Sequence, residues 1–321
     1  MDIVTLIPAF KPQFLPELLG CLRVQTRRSS RIVFSDDSPG GAYRAVLMSD
    51  ELAPLRAGLP IDCVDGPRRG GYPNMLHLLD VWGGNNKLFH LLLDDDVIYP
   101  EFYERHLAAH AAARFSCTVS RRWSADEQGR PIAGQNVPPA LKITPHRLVS
   151  LDADVMFMST AIECKNWLGE FSNAVFRAEA VPLLLKPAFE GISYAGLWDL
   201  GAFMAASLLA PVGHLQDHLG YFRTGSAGNS AKFFGPYMKA AHLGYAALCL
   251  GGRRLGRYSD AQVLQAFGIL AVGMQQRYGG QQDMLPFIAL FVRLAAGDGS
   301  AEAEAEFVGQ WHAYLRAQDF L

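Results

Sequence analysis

Three consecutive aspartates follow an apolar run and are the strongest chemical signal in this chain. Asp94, Asp95 and Asp96 close the segment F-H-L-L-L-D-D-D. Adjacent carboxylates repel one another unless a cation neutralises them, and Mg²⁺ and Mn²⁺ prefer carboxylate oxygens. In an extended chain Asp94 and Asp96 would share one face. The pattern predicts a cation site that also holds phosphates. The structural alternative is a helix N-cap cluster before 101–113, for which one Asp would suffice.

A second acidic pair, Asp36 and Asp37, ends the apolar run R-I-V-F-S. A carboxylate at a strand end can accept hydrogen bonds from a base N–H or a ribose hydroxyl. The sequence D-S-P-G-G that follows would also form an Asx-type turn unaided. The residues alone favour neither alternative.

Alternating strand and helix patterns must position both acidic sites. Short apolar runs indicate strands, and amphipathic segments between them indicate helices, the first with Pro16 in its first turn. This alternation predicts an α/β fold with a mostly parallel sheet flanked by helices. Ligands of such sheets bind beyond the carboxyl ends of the strands. The predicted strands are 3–7, 31–35, 61–64 and 88–93, and the predicted helices are 14–25, 42–57 and 73–82.

The pattern changes twice after these elements. Residues 115–230 are less regular and contain a proline-rich stretch between Pro131 and Pro145. Beyond Phe233 the sequence is helical in character and carries no chemical motif. The helices predicted there are 234–251, 260–277, 284–296 and 301–318.

Composition excludes several classes of protein. Half of the 321 residues are hydrophobic and 19% are charged, which excludes a disordered or collagen-like chain. The net charge of −2 argues against binding of nucleic acid by bulk electrostatics. Five scattered cysteines without a C-x-x-C pair indicate reduced, mostly buried thiols. No signal-peptide pattern is visible, and the apolar stretch 202–212 is shorter than the roughly 20 residues of a membrane span. We therefore expect a cytoplasmic protein.

Four segments in order resemble the nucleotide-sugar half of glycosyltransferase family 2. In that family the first strand ends in a Pro-Ala-aromatic turn, the second in an Asp-Asp-x-Ser turn, and a DxD motif follows the fourth. The matching segments are I-P-A-F-K (7–11), S-D-D-S (35–38), G-P-R-R-G-G-Y-P-N (66–74) and L-D-D-D (93–96).

Two later segments extend the resemblance over about residues 3 to 230. G-L-W-D-L (196–200) is similar to the family's acidic site, and L-G-Y-F-R-T-G-S-A-G-N-S (219–230) to its Tyr-x-Arg segment. Two residues depart from the family pattern. Trp198 stands where the family usually has Glu, and Gly225 stands where it commonly has His. The resemblance implies a GT-A fold, with a transferase domain at 1–232 and a helical appendage at 233–321. The halves of the domain, 1–115 and 116–232, would take donor and acceptor.

The resemblance implies a role for each matching residue toward a nucleoside-diphosphate sugar. Asp36 or Asp37 would bind the nucleobase and ribose, Asp96 would be the more direct ligand of Mn²⁺ or Mg²⁺, and Asp94 would lie nearer the ribose or diphosphate. An Arg of the 66–74 segment could contact the diphosphate, although a solvated surface pair is an equal alternative. The donor-binding set is Pro8, Ala9, Asp36, Asp37, Arg69, Asp94, Asp95 and Arg223.

The implied reaction is an inverting, metal-dependent transfer to a hydroxyl acceptor. Asp199 would be the general base, and the acceptor would be a glycan or glycolipid, as in bacterial surface-glycan synthesis. Such an acceptor leaves peripheral association with the inner face of the membrane open. Two other functions stay open: a nucleotidyltransferase, and a nucleotide-sugar-binding protein without turnover.

Histidines and tryptophans supply weaker candidates. The pairs His106/His110 and His214/His218 have the i, i+4 spacing of one helix face. We interpret the first pair as helix-surface residues, while one member of the second could lie near a metal. Trp167 and Trp198 could stack on an acceptor sugar, although core packing is the more common use.

Overall fold

The computed structural model of the protein describes residues 2–225, 232–297 and 301–320. Residues 226–230, the end of the predicted Tyr-x-Arg segment, lie outside the described residues. The strands are β1 Ile3–Ala9, β2 Arg31–Asp36, β3 Ile61–Asp65, β4 Leu88–Leu91, β5 Val97–Ile98, β6 Cys117–Ala125, β7 Pro131–Gly134, β8 Leu148–Leu151, β9 Ala174–Arg177, β10 Ala188–Phe189, β11 Ile192–Ser193 and β12 Val212–Arg223.

Helices connect and follow these strands. They are α1 Leu15–Arg23, α2 Ala42–Leu47, α3 Ala53–Arg56, α4 Gly71–Trp82, α5 Phe102–Ala112, α6 Pro139–Ile143, α7 Ala153–Phe157, α8 Val181–Leu185, α9 Trp198–Ser207, α10 Pro236–Arg254, α11 Asp260–Tyr278, α12 Leu285–Ala295 and α13 Ala301–Ala317.

One ten-stranded sheet carries the candidate site. Its order is β3-β2-β1-β4-β9-β6-β12-β5, with β7 beside β6 and β8 beside β12. The first four strands run parallel, and so do β6 and β12, while β9 and β5 are antiparallel to their neighbours. The predicted fold class, a large mostly parallel sheet flanked by helices with a helical C-terminal region, is confirmed.

The first strands form because their side chains are apolar on both faces. Every residue of β1 is buried, as is expected of a parallel strand covered by helices. Leu15, Leu18, Leu19 and Leu22 of α1 are buried together on one stripe of that helix. The predicted elements of the first hundred residues are therefore found, with two corrections. The helix predicted over 42–57 is the two short helices α2 and α3, because a turn at 48–52 interrupts it, and β4 ends at Leu91.

The chain divides into two compact units. The first comprises 1–152, 168–185 and 205–225, and the second comprises 153–167, 186–204 and 226–321. The four predicted C-terminal helices are found as α10 to α13 in the second unit. There the buried Trp311 donates its indole N–H to the Ser193 carbonyl at 2.7 Å. The predicted division at residue 232 stays a prediction. Within the described residues, no helix is both long and apolar enough to cross a membrane.

Candidate active site

The ends of β1 and β2 bring the first acidic pair to one edge of the sheet. Ala9 is aligned with Asp36, and the Asp37 amide donates to the Ala9 carbonyl at 2.9 Å. Pro8 and Ala9 are buried in β1 directly beside this pair. The parallel register therefore places all four residues at the carboxyl edge, where ligands of α/β sheets bind.

Asp36 is committed to local structure. Its Oδ1 accepts from the Ser38 amide at 2.9 Å and from the Ser38 hydroxyl at 2.5 Å. Its Oδ2 accepts from the Arg44 amide, in the first turn of α2, at 2.9 Å. The Asx-type turn considered from the sequence is therefore present at Asp36, and the carboxylate also satisfies a helix N-terminus.

Asp37 holds the loop that follows β3. Its Oδ1 accepts from the Arg68 amide, and its Oδ2 accepts from the Gly70 amide at 3.0 Å. A Cβ at Gly66 would stand 2.8 Å from Asp37 Oδ1, so only glycine allows this approach. The Arg68 and Arg69 side chains of the same loop are exposed. The loop that Asp37 holds therefore carries two exposed cationic side chains at the edge of the sheet.

The triple aspartate lies in a turn rather than in a strand. The Asp96 amide donates to the Leu93 carbonyl at 3.2 Å, which closes a turn over Asp94 and Asp95. The alternation expected for an extended chain is therefore wrong here, since it applies only to strand geometry. We call residues 93–96 the acidic turn.

The segment after β1 holds one side of the acidic turn. Asp94 Oδ2 accepts from the amides of Phe10 and Lys11, each at 2.6 Å. The Lys11 ammonium forms an ion pair with Asp95. Lys11 stands in the I-P-A-F-K segment, but the sequence interpretation gave it no role. Its opposite charge was the only signal that could have linked it to the acidic turn.

Burial disfavours the charged forms of Asp94 and Asp96. Burial, then the charge of Asp95, raises the pKa of Asp94 to about 6, against hydrogen bonds from Lys11 and Phe10. The same two causes raise the pKa of Asp96 well above its usual range. A cation among these groups would reverse both effects, because it favours the charged carboxylates.

Asp96 is the residue that best fits a divalent cation. Its Oδ1 accepts from the Arg223 amide at 3.1 Å, whereas its buried Oδ2 has no well-formed hydrogen bond in the described part of the chain. The nearby Ser172 hydroxyl counters in part the rise in the pKa of Asp96 that burial and the Asp95 charge cause. Asp96 borders a small cavity together with Arg122 and Ser172. Across the described ranges no group of three or more His, Cys, Asp or Glu side chains is arranged to hold a metal ion. The protein would therefore supply at most two carboxylates, Asp96 and Asp94, and water or phosphate oxygens would complete the coordination.

The two predicted arginines differ in availability. The Arg223 side chain is only 4% exposed, and its guanidinium donates to acceptors of the chain itself. Arg69 is exposed, with no ion-pair partner given by the described residues. A diphosphate could therefore reach Arg69 more readily than Arg223.

The predicted base, Asp199, belongs to the second unit. It lies half-buried in the first turn of α9, and its Oδ1 accepts from the Leu200 amide at 2.7 Å. Burial, and next the negative charge of Asp199, raise the pKa of Tyr245 on α10. Tyr245 also lines a cavity of about 500 Å³ between α10 and α11, with His242 and Arg277. Asp199 thus has an ionisable, cavity-lining neighbour within its own unit.

The remaining candidates are mostly core residues. Trp167 and Trp198 are buried, at 5% and 6% exposure, which confirms the core alternative. His106 and His110 are buried between α5 and β6, so their interpretation as surface residues is wrong. His214 and His218 lie on β12 rather than on a helix.

The arrangement of the sheet, its flanking helices and the C-terminal helices matches a glycosyltransferase fold. S. aureus TarS is a glycosyltransferase, and its fragment 1–349 is similar to this chain, with a TM-score of 0.58 and 12% identity over 100% of this chain and 88% of that one. The same fragment in complex with UDP has a TM-score of 0.57 and 14% identity, over 100% of this chain and 88% of that one. In complex with UDP-GlcNAc it has a TM-score of 0.53 and 14% identity, over 99% of this chain and 91% of that one. At such low identity the similarity establishes the fold alone. No protein-family model and no curated protein matches the sequence.

Proposed function

We propose that this protein is a glycosyltransferase that uses a nucleoside-diphosphate sugar. The observation that supports this most strongly is the buried acidic turn beside Asp36, Asp37 and the exposed Arg69, at the carboxyl edge of a parallel sheet. Structures of TarS, similar over nearly all of this chain, contain UDP or UDP-GlcNAc. The proposal extends that ligand class to this site.

The donor would lie against the first unit. Pro8 and Ala9 would border the base, and Asp37 or Asp36 would accept from the base or the ribose through lone pairs that their backbone partners leave free. Arg69 would reach the diphosphate, because its charge is exposed and a planar guanidinium pairs with phosphate oxygens. Binding to Asp36 would compete with a helix cap, so we favour Asp37.

A divalent cation, Mn²⁺ or Mg²⁺, would be held by Asp96 and Asp94. The Oδ2 of Asp96, which is buried without a well-formed hydrogen bond among the described residues, supports this assignment. When bound, such an ion stabilises negative charge that develops on the leaving diphosphate. The protein's own contribution is to aim Asp96 and to keep Lys11 against Asp95, which limits repulsion within the acidic turn.

Asp199 would take the proton from an acceptor hydroxyl as the oxygen attacks the anomeric carbon. Attack from the face opposite the diphosphate inverts the configuration. The half-buried carboxylate of Asp199 in the first turn of α9 is the group that would accept this proton. A bacterial surface glycan or glycolipid is the proposed acceptor class, and the proposed location is the cytoplasmic side of the membrane.

A screen of donors tests the proposed function. UDP-, GDP-, CMP- and dTDP-sugars are added with Mn²⁺ while the melting temperature is recorded, and we expect one nucleotide class to raise it. Ligand at about one hundred times its Kd stabilises by roughly 2.7 kcal/mol. Binding followed by sugar transfer supports the proposal. In a parallel assay with a nucleoside triphosphate and a sugar 1-phosphate, pyrophosphate release would indicate a nucleotidyltransferase. Binding of a donor without turnover in either assay would indicate a binding protein, and no binding of any donor would contradict all three.

Nucleotide affinity should depend on a divalent cation. Without one, Asp94, Asp95 and Asp96 oppose the diphosphate with like charge. Calorimetric titration of UDP should therefore show strong binding with Mn²⁺ and weak binding with EDTA. Asp96→Asn should abolish the difference, whereas Asp62→Asn, which changes an exposed surface acid paired with Arg31, should preserve it. Equal UDP affinity in Mn²⁺ and EDTA would remove the cation from the proposed function.

A further inference from the structure

The guanidinium of Arg223 is enclosed by acceptors from several segments. Its Nε donates to the Asp95 carbonyl at 3.0 Å and its Nη1 to the Glu127 carbonyl at 2.5 Å. Its Nη2 donates to the Tyr221 hydroxyl at 3.2 Å and to the Glu17 carboxylate. Four of the five N–H groups of this arginine are therefore engaged within the protein. An arginine used in this way orders its surroundings rather than binding a substrate.

Glu17 is the charged group that fixes this guanidinium. Its Oε2 accepts from Arg223, and its Oε1 accepts from the Tyr221 hydroxyl. The Phe14 ring lies below the guanidinium at 4.5 Å from Cζ, so the N-terminal end of α1 supplies both a charge and an aromatic face. A Cβ at Gly129 would stand 2.5 Å from the Tyr221 hydroxyl. The turn that carries the Glu127 carbonyl is thus fitted closely around this pair.

Arg223 contacts the acidic turn twice. Its side chain reaches the Asp95 carbonyl, and its amide donates to Asp96 Oδ1 at 3.1 Å. The opposite side of the turn is held by Lys11 and by the amide of Phe10. The Ser172 hydroxyl holds a third point, because it accepts from the Leu93 amide at 3.0 Å. The acidic turn is therefore held at three points, and the contacts with Arg223 are the ones that join Asp95 and Asp96 to β12.

We propose that Glu17 is a positioning residue for the donor site. Its carboxylate fixes the Arg223 guanidinium, which fixes the backbone of Asp95 and so the direction of Asp96 Oδ2. Neither Glu17 nor Tyr221 needs to contact the nucleotide. The role in donor binding rests on the proposed function, whereas the ordering of the acidic turn is a property of the protein without ligand.

Glu17→Ala tests the proposal with two measurements. Hydrogen–deuterium exchange of the peptide containing residues 93–98, without ligand, should become faster than in the wild type because the contacts of Arg223 with the acidic turn are loosened. The affinity for UDP with Mn²⁺, measured well below the melting temperature, should fall by about 10-fold. This is the lower end of the effect of losing a direct hydrogen-bond partner of a metal ligand, because Glu17 acts on Asp96 through Arg223. Glu17→Gln keeps one acceptor oxygen, so its exchange rate and its UDP affinity should lie between those of the wild type and of Glu17→Ala. Glu51→Ala, which changes an exposed glutamate of the same unit, should match the wild type in both measurements.

Each outcome bears on the proposal separately from the proposed function. Unchanged exchange at 93–98, or unchanged UDP affinity in a folded Glu17→Ala protein, would overturn the positioning role, even if the variant melts at a lower temperature. If Glu17→Ala does not fold, Tyr221→Phe is the second variant. It removes the hydrogen bond to Glu17 and the one from Arg223 but keeps the ion pair between them, so it should show the same two effects at smaller size. A wild type that binds no nucleotide would defeat the donor site but leave the exchange comparison valid.

Discussion

Asp199→Asn is expected to lose sugar transfer by about two to four orders of magnitude, the usual size of general-base catalysis. An amide keeps the size of the carboxyl group and can still accept from the Leu200 amide, but it cannot take a proton at neutral pH. The nucleotide affinity should change little, because the proposed donor residues lie in the first unit. The measurement is the rate at which the nucleotide is released from the donor that the screen selects, with an acceptor that supports wild-type transfer.

The control for this variant is Asp154→Asn. Asp154 also lies in the first turn of a helix in the second unit, and it is exposed and paired with Arg257. Losing such a pair costs at most about 1 kcal/mol, so turnover should be normal. A folded Asp199→Asn protein with near-normal turnover would show that Asp199 is not the base. Glu190 and Glu170 would then be the next acids to substitute.

Local patterns predicted the sheet but not the shape of the acidic turn. The buried run of β1 and the Asp36–Asp37 turn are visible because burial and turn chemistry act over a few residues. The turn at Asp94 depends on Phe10 and Lys11, which hold it from the segment after β1. Such a contact leaves no trace in periodicity, so the extended geometry that was expected there was wrong.

Distant partners explain the other gaps. Glu17 contacts Arg223 across 206 residues, and nothing in either local sequence pairs them. The sequence resemblance therefore placed Arg223 in the donor-binding set, without its partners. The i, i+4 pattern of His106 and His110 is compatible with an exposed or a buried helix face. The packing of α5 on β6 decides between them, because the Thr118 hydroxyl is hydrogen-bonded to both rings.

His90, His106 and His110 are all buried, and they predict the second large effect, a loss of stability in acid. The His90 ring contacts the Tyr103 hydroxyl at 3.1 Å and the Ser172 carbonyl at 3.0 Å, and its other neighbours include the Phe102 ring. His110 lies at 3.1 Å from the Val175 carbonyl, near Arg177. Burial lowers the pKa of His90 to about 3, that of His110 to about 4, and that of His106 well below its usual value.

The direction follows from proton binding in the two states. Each histidine is neutral in the folded protein, whereas in the unfolded chain it takes a proton below about pH 6.5. The free energy of unfolding should therefore fall as the pH falls through 6.5, by up to about 1.4 kcal/mol per pH unit for each histidine. Asp94, whose pKa in the folded protein is about 6, and Asp96, whose pKa is raised well above its usual range, offset part of this loss. The net stability should still decline from pH 7 to pH 5.

His90→Gln isolates one contribution to this decline. Urea unfolding of the wild type and the variant is measured at pH 7 and at pH 5, and the change between the two pH values is compared. A constant loss of stability in the variant cancels in this difference. Without the titrating ring, the variant should lose about 2 kcal/mol less than the wild type over these two pH units. His146→Gln, which changes an exposed histidine of the same unit, should follow the wild type, whereas parallel behaviour of His90→Gln and the wild type would show that His90 does not resist protonation in the fold.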